Sequence, residues 1–231
     1  MKKLLLILLC LPFVGFGQNV NIPDANFKAY LIGNSLINTN GDTEIQISEA
    51  NSFNGTIDCF NSNISDLTGI EEFINLTLLH CAFNQLTSLD VSNNTALNNL
   101  GCSGNQLTSL DVSGATALKF LTCDDNQLTS LDVSNNTAIV DLVCNENQLT
   151  SLDVSNNTAL NTLDCRDNQL TSLNVNGATA LLFLKCMYNQ LTSLDVSQNT
   201  ILVNLDCSNN QLTSLDVSTN TALTVLECWY N

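Results

Sequence analysis

Ten cysteines carry the most reactive groups in this chain, and nine of them fall in one row. Cys81, Cys102, Cys123, Cys144, Cys165, Cys186, Cys207 and Cys228 recur every 21 residues, and Cys59 precedes them at a spacing of 22. A metal centre needs thiolates that converge on one ion, whereas a row of fixed period diverges along an axis. Disulfides suit secreted proteins in general. Equivalent residues on neighbouring parallel strands, however, lie about 4.8 Å apart, wide of the Cβ separation of about 3.8 Å in a disulfide. Nine thiols also leave one unpaired. The favoured reading is a row of small buried hydrophobes, a use that suits free cysteine.

The elements that hold this row follow from its phrase, L-x-x-L-x-C-x-x-N, followed in most units by Q-L-T-S-L-D-V-S-x-N-T-A. Seven full units span 76–222, and an eighth starts at Leu223. A unit this short cannot bury its own apolar face and must stack on its neighbours. In the unit 97–117, Leu100 and Cys102 are two residues apart and share one side of a strand. Leu97, Leu107, Leu110 and Val112 complete an apolar interior. A strand is expected at Leu100–Ser103 and a shorter extended segment at Leu110–Val112, with their equivalents in each unit. Little room remains for a convex helix.

The phrase resembles the leucine-rich repeat, L-x-x-L-x-L-x-x-N/C-x-L, with Cys in the third Leu position. The resemblance covers roughly residues 54–231, and the nested inner echo is similar to short secreted bacterial repeats of the kind found in Bacteroidota. The divergent first coil, Ile64 to Asn75, resembles internalin-like repeats. The resemblance implies a mainly β solenoid, a curved leucine-rich-repeat coil of parallel strands, whose outward strand positions face a concave, partner-binding surface. Asn84, Asn105, Asn126, Asn147, Asn168, Asn189 and Asn210 fill the repeat's Asn position. A buried amide there can pair with the backbone of its own and the next coil.

Residues 18–56 do not repeat and are read as an N-terminal cap. Pro23 and Asp24 open a short helix that carries Phe27 and Leu31 on one face and closes at Gly33-Asn34. The stretch Asn38-Thr-Asn40-Gly-Asp42-Thr-Glu44, ending at Glu49, resembles an EF-hand calcium loop. Asn38, Asn40, Asp42, Glu44 and Glu49 would be its ligands. It departs from that pattern with Asn at the first position and Thr43 where Gly is usual, and a plain polar turn is the alternative. Apart from this possible calcium, no cofactor is expected.

Variation between the units shows where information sits. L-T-S-L-D-V-S hardly changes, while positions flanking the strand Leu and Cys change freely. Those positions bring His80, Phe83, Lys119, Phe120, Asp124, Asp125, Asp141, Asn145, Glu146, Asp164, Arg166, Asp167, Phe183, Lys185, Met187, Tyr188, Glu227, Trp229 and Tyr230 to the concave side. The candidate binding set is His80, Phe83, Phe120, Arg166, Phe183, Lys185, Met187, Tyr188, Trp229 and Tyr230, because aromatic residues, Met and Arg are enriched at interfaces. Drift on a solvent face after duplication is the alternative. On the opposite half stands a carboxylate row of Asp90, Asp111, Asp132, Asp153, Asp195 and Asp216, with Asn174 in the remaining unit. Like charges one coil apart should raise the pKa of some members.

The net charge of −16 excludes nucleic acid and anionic membrane as partners. One His and no nucleophile or phosphate-binding motif argue against an enzyme. Lys2, Lys3, the apolar run Leu4 to Leu11 and Gly15-Phe16-Gly17 read as a secretory leader over 1–17, which leaves no membrane insertion after its removal. The expectation is a secreted or cell-surface module that binds a protein or glycan. A spacer, or the recognition part of a larger enzyme, is the alternative. The stop at Asn231, nine residues into a unit, suggests a further C-terminal region.

Overall fold

The computed structural model describes residues 17–231. The expected leader lies outside them except for Gly17. Nine parallel strands form one long sheet: Thr56–Asp58, Leu78–His80, Asn99–Gly101, Phe120–Thr122, Asp141–Val143, Thr162–Asp164, Phe183–Lys185, Asn204–Asp206 and Val225–Glu227. We name each coil by its cysteine. The register is fixed by the repeat: Leu79 pairs with Leu100, Leu100 with Leu121 and Leu163 with Leu184. Cys59 continues the row despite its longer spacing, because Ile57 pairs with Leu79. Each strand is three residues long; Asn99–Gly101 begins one residue before the expected Leu100–Ser103 and ends two residues before it. The Cys that follows it still donates its N–H to the next coil, as Cys102 does to the Thr122 carbonyl.

The opposite run pairs only in places. Ser88–Asp90 joins Ser109–Asp111, and Ser151–Asp153 joins Ser172–Asn174. The equivalents at 130–132, 193–195 and 214–216 are not strands. Side chains satisfy the backbone locally here, since each Asp Oδ1 accepts from the Ser N–H two residues on. Asp90, Asp111 and Asp153 make the same bond while their strands pair, so it does not set which coils pair.

Between the two runs lies one continuous core. Leu97, Leu100, Cys102, Leu107 and Val112, with their equivalents as far as Leu212, are almost wholly inaccessible, whereas Leu226 and Cys228 of the last coil are exposed. Two ladders of amides stitch the turns. Asn126 Nδ2 donates to the carbonyls of Cys123 and Asp124 in its own coil and of Cys102 in the coil before, while its Oδ1 accepts from Leu107 N–H. The expected role holds, but the amide reaches the preceding coil rather than the next. A second ladder was not foreseen: Asn94, Asn136, Asn157, Asn199 and Asn220 are buried and donate to carbonyls of the preceding coil. In the two remaining coils Gly114-Ala115 and Gly177-Ala178 stand in its place. There the chain runs so close that a Cβ on Gly114 would lie 1.8 Å from the Ser92 carbonyl oxygen.

The cap contains α1 (Ala25–Gly33) and α2 (Ile47–Ser52). Asp24 caps α1 by accepting from the N–H groups of Asn26 and Phe27, and Phe27 and Leu31 are buried against the first coil. Among the described residues no helix is long and apolar enough to cross a membrane.

Candidate binding surface on the long sheet

The inward side of the sheet belongs to the Leu and Cys rows, so its outer side is what the molecule can offer. Cys59 through Cys207 are buried, none is paired, and Cys228 is exposed. Burial pushes the thiols up, Cys59 and Cys123 to about 12. They are packing residues, held protonated, and no metal-holding group of His, Cys, Asp and Glu occurs among the described residues.

The outer side has three rows. The first two come from the strand, one residue before and one after its Leu, and they carry Phe120 and Phe183, and His80, Asp164 and Lys185. A row just past Cys carries Phe60, Asp124, Asn145, Arg166, Met187 and Trp229. Phe83, Asp125, Glu146, Asp167, Tyr188 and Tyr230 are not strand residues, as their sequence positions suggested. They sit in the turn that follows, with φ between 52° and 58°. Only Gly104 occupies that turn as a glycine, at φ 64°. Left-handed backbone costs a residue with a Cβ about 1–2 kcal/mol, so bulky side chains are held here against a local preference.

Electrostatically the surface is acidic; Arg166, Lys185 and His80 lie against carboxylates, while Lys119 is exposed and in no ion pair among the described residues. Asp164, buried, lies 3.6 Å from Arg166 Nε and 3.9 Å from Lys185 Nζ. Burial nevertheless raises its carboxyl above the ordinary value, outweighing both cations. His80 Nδ1 is 3.0 Å from Asp58 Oδ1. Exposed aromatics cluster at both ends. Phe60 packs on His80 and edge-on to Phe83, with centroids 5.3 and 5.4 Å apart, and Trp229 meets Tyr230 at 5.1 Å. Between them Phe120, Phe183 and Tyr188 are exposed as well. The sequence reading missed Phe60 and Asp58, because their coil departs from the phrase. The spacing of Cys59 was the signal that could have found them.

The acidic row opposite behaves differently from expectation. Asp111, Asp132, Asp153, Asp195 and Asp216 lie below the ordinary carboxylate value, not above it. Hydrogen bonds from the amide and hydroxyl of the following Ser outweigh repulsion between coils. The row is a line of Asx turns.

The calcium-like residues are brought together, but by one another. Glu49 Oε1 accepts from Thr39 N–H, Thr39 Oγ1 and Asn40 N–H, and Oε2 from Gln46 N–H. Burial raises its carboxyl, and these bonds together outweigh burial, for a net depression. Asn38 Nδ2 donates to the carbonyls of Ile32 and Asp42. Asp42 Oδ1 accepts from Glu44 N–H, and Glu44 itself is 2.7 Å from Lys28 Nζ.

A family model described as the Endo-beta-N-acetylglucosaminidase EndoS LRR domain matches residues 40–157, over half of the chain. The chain belongs to this leucine-rich-repeat family. Within the leucine-rich-repeat proteins, its structure is similar to one described as the functional domain of InlJ from Listeria monocytogenes, which includes a cysteine ladder. The two share 42% identity at a TM-score of 0.82, over 93% of this chain and 48% of that one. Internalin J of the same species is 52% identical over 40 residues, which are 17% of this chain and 4% of that protein. Internalin C2 of Listeria monocytogenes shares the fold at 19% identity, with a TM-score of 0.71 over 90% of this chain and 97% of that one. This leucine-rich-repeat chain therefore spans about half the InlJ structure and a small part of full-length Internalin J.

Proposed function

We propose that the chain is a non-catalytic binding module of a secreted or surface protein, which recognises a partner protein, or a glycan, through the outer, concave side of its long sheet. One observation carries this reading. Phe83 and Tyr188 are 55% and 51% exposed in left-handed turns, where a glycine would relieve the backbone and remove the apolar surface. Keeping them costs twice, in strain and in solubility, which fits residues that contact something. Internalin-type relatives and the leader-like sequence at 1–17 support an extracellular setting.

A second reading has its own observation. The matching family is named for the repeat domain of a glycosidase, so the chain could serve as the recognition part of a larger enzyme. Protein and glycan arrays test both. Wild type is compared with a variant in which Phe183, Lys185, Met187 and Tyr188 become Ala or Ser. The proposal expects a partner whose signal drops with the variant. A partner bound equally by both proteins moves the site elsewhere.

A further inference from the structure

The N-terminal end of the sheet face has features no other coil repeats. Phe60, His80 and Phe83 form one exposed aromatic surface across the Cys59 and Cys81 coils, with Phe60 48% and Phe83 55% exposed. The next coil makes room for it. A Cβ at Gly101 would lie 3.0 Å from His80 Cδ2, and one at Gly104 would lie 2.9 Å from the Phe83 ring. These two positions carry side chains in every other coil of the row. The rings thus lie over glycines, and Asp58 holds His80 from the other side.

Beyond the glycines the surface turns acidic. Asp124, Asp125, Asp141 and Glu146 follow on the Cys123 and Cys144 coils, and among the described residues none is in an ion pair. At about 4.8 Å per strand they begin roughly 10 Å from the aromatic surface, a distance that three residues of extended peptide cover. Aromatic faces attract cations, and unpaired carboxylates select the same charge.

We propose that this half of the sheet face docks a basic segment of a partner polypeptide. An Arg or Lys side chain lies across Phe60 and Phe83, and further cations face Asp124, Asp125 and Glu146. The inference rests on the sheet face being the binding surface and adds the chemistry of its occupant.

The test is fluorescence anisotropy with a labelled peptide of about twelve residues bearing Arg in every third place, a length matched to the sheet. The full chain is compared with three double variants: Phe60→Ala with Phe83→Ala, Asp125→Asn with Glu146→Gln, and, on the opposite face, Asp132→Asn with Asp153→Asn. Melting temperatures confirm that each is folded. The expected result is about tenfold weaker binding without the rings, the loss of a well-formed cation–π contact. The sheet-face charge variant should also bind more weakly, with a shallower salt dependence, and the opposite-face variant should bind as wild type. Equal weakening by both charge variants would reduce the effect to diffuse attraction and overturn the proposal. So would undiminished binding without the rings, or no binding by wild type. If the arrays instead return a neutral glycan or an acidic protein that needs the sheet face, this inference fails while the proposed function stands. A partner indifferent to every sheet-face variant overturns both.

Discussion

Each cysteine of the row is a hydrophobe by circumstance rather than by chemistry. Desolvation holds Cys59, Cys123 and Cys207 at about 12, and a protonated buried thiol is a poor nucleophile. We expect a maleimide, with peptide mapping of the native protein at pH 8, to label Cys228 and to spare Cys81 through Cys186. Rapid labelling of Cys144 would contradict this burial. Neighbouring amides carry more of the stability. Asn126→Ala strands the Leu107 N–H, while the carbonyls of Cys102 and Cys123 keep the bonds from Asn105 and Asn147, and a buried unsatisfied group costs about 1–3 kcal/mol. A loss of about 1–3 kcal/mol in denaturant unfolding is therefore expected, the penalty of that one donor. The carboxylates set the pH response. For Asp111, Asp132 and Asp153 the folded value is depressed, so the native state binds fewer protons than the unfolded chain just below the ordinary carboxylate range. Their stabilisation is present above that range and is lost as pH falls through the folded value. Unfolding midpoints should drop between neutral pH and pH 3, less so in a variant with all three changed to Asn. The row itself was legible from sequence but its titration was not, because the deciding bond runs to the Ser two residues on and not between coils.

At the scale of one turn, the two coils with S-G-A-T-A test how closely neighbours pack. Gly177 lies against the Ser155 carbonyl oxygen, which a Cβ would approach to 1.6 Å. Gly177→Ala should thus cost more than about 3 kcal/mol or force the coil apart, the range of severe backbone clashes. Gly33, at the end of α1, has nothing within 4 Å, and Gly33→Ala should be neutral or stabilising by up to about 1 kcal/mol. Equal effects at the two sites would refute the packing. The cap loop shows why a ligand pattern read from sequence needs its geometry. Asn38, Asn40, Asp42 and Glu49 have the right order, yet their oxygens accept from Thr39, Asn40, Gly41, Asp42, Glu44 and Gln46 N–H groups. With these oxygens engaged by N–H groups, we expect the melting temperature to be the same with millimolar calcium and with chelator. A rise of several degrees with calcium would show that the ion displaces those bonds. Helix α1 and its Asp24 cap were legible because Pro-Asp and Gly-Asn punctuate it. The one-turn helix α2 was not, since its residues read equally well as the end of a loop.

Along the whole chain, the period gave the solenoid and the inward rows, because every coil must bury the same face, and the leucine-rich-repeat resemblance supplied the parallel strands. The second Asn ladder lay within an apparently invariant polar phrase, where nothing in the pattern separates a buried amide from an exposed one. Phe60 and Asp58 were hidden for the opposite reason, standing in a coil too divergent to align by eye. What remains for function is an outer sheet face that differs from coil to coil, set on an interior that does not. Amide hydrogen exchange with an array-selected partner bound tests this most directly. The account predicts slowed exchange in the turns after the long-sheet strands, at 81–84, 102–105, 123–126 and their equivalents, with the L-T-S-L-D-V-S segments unchanged. Protection of those segments, with the sheet turns exchanging as in the free protein, would contradict it.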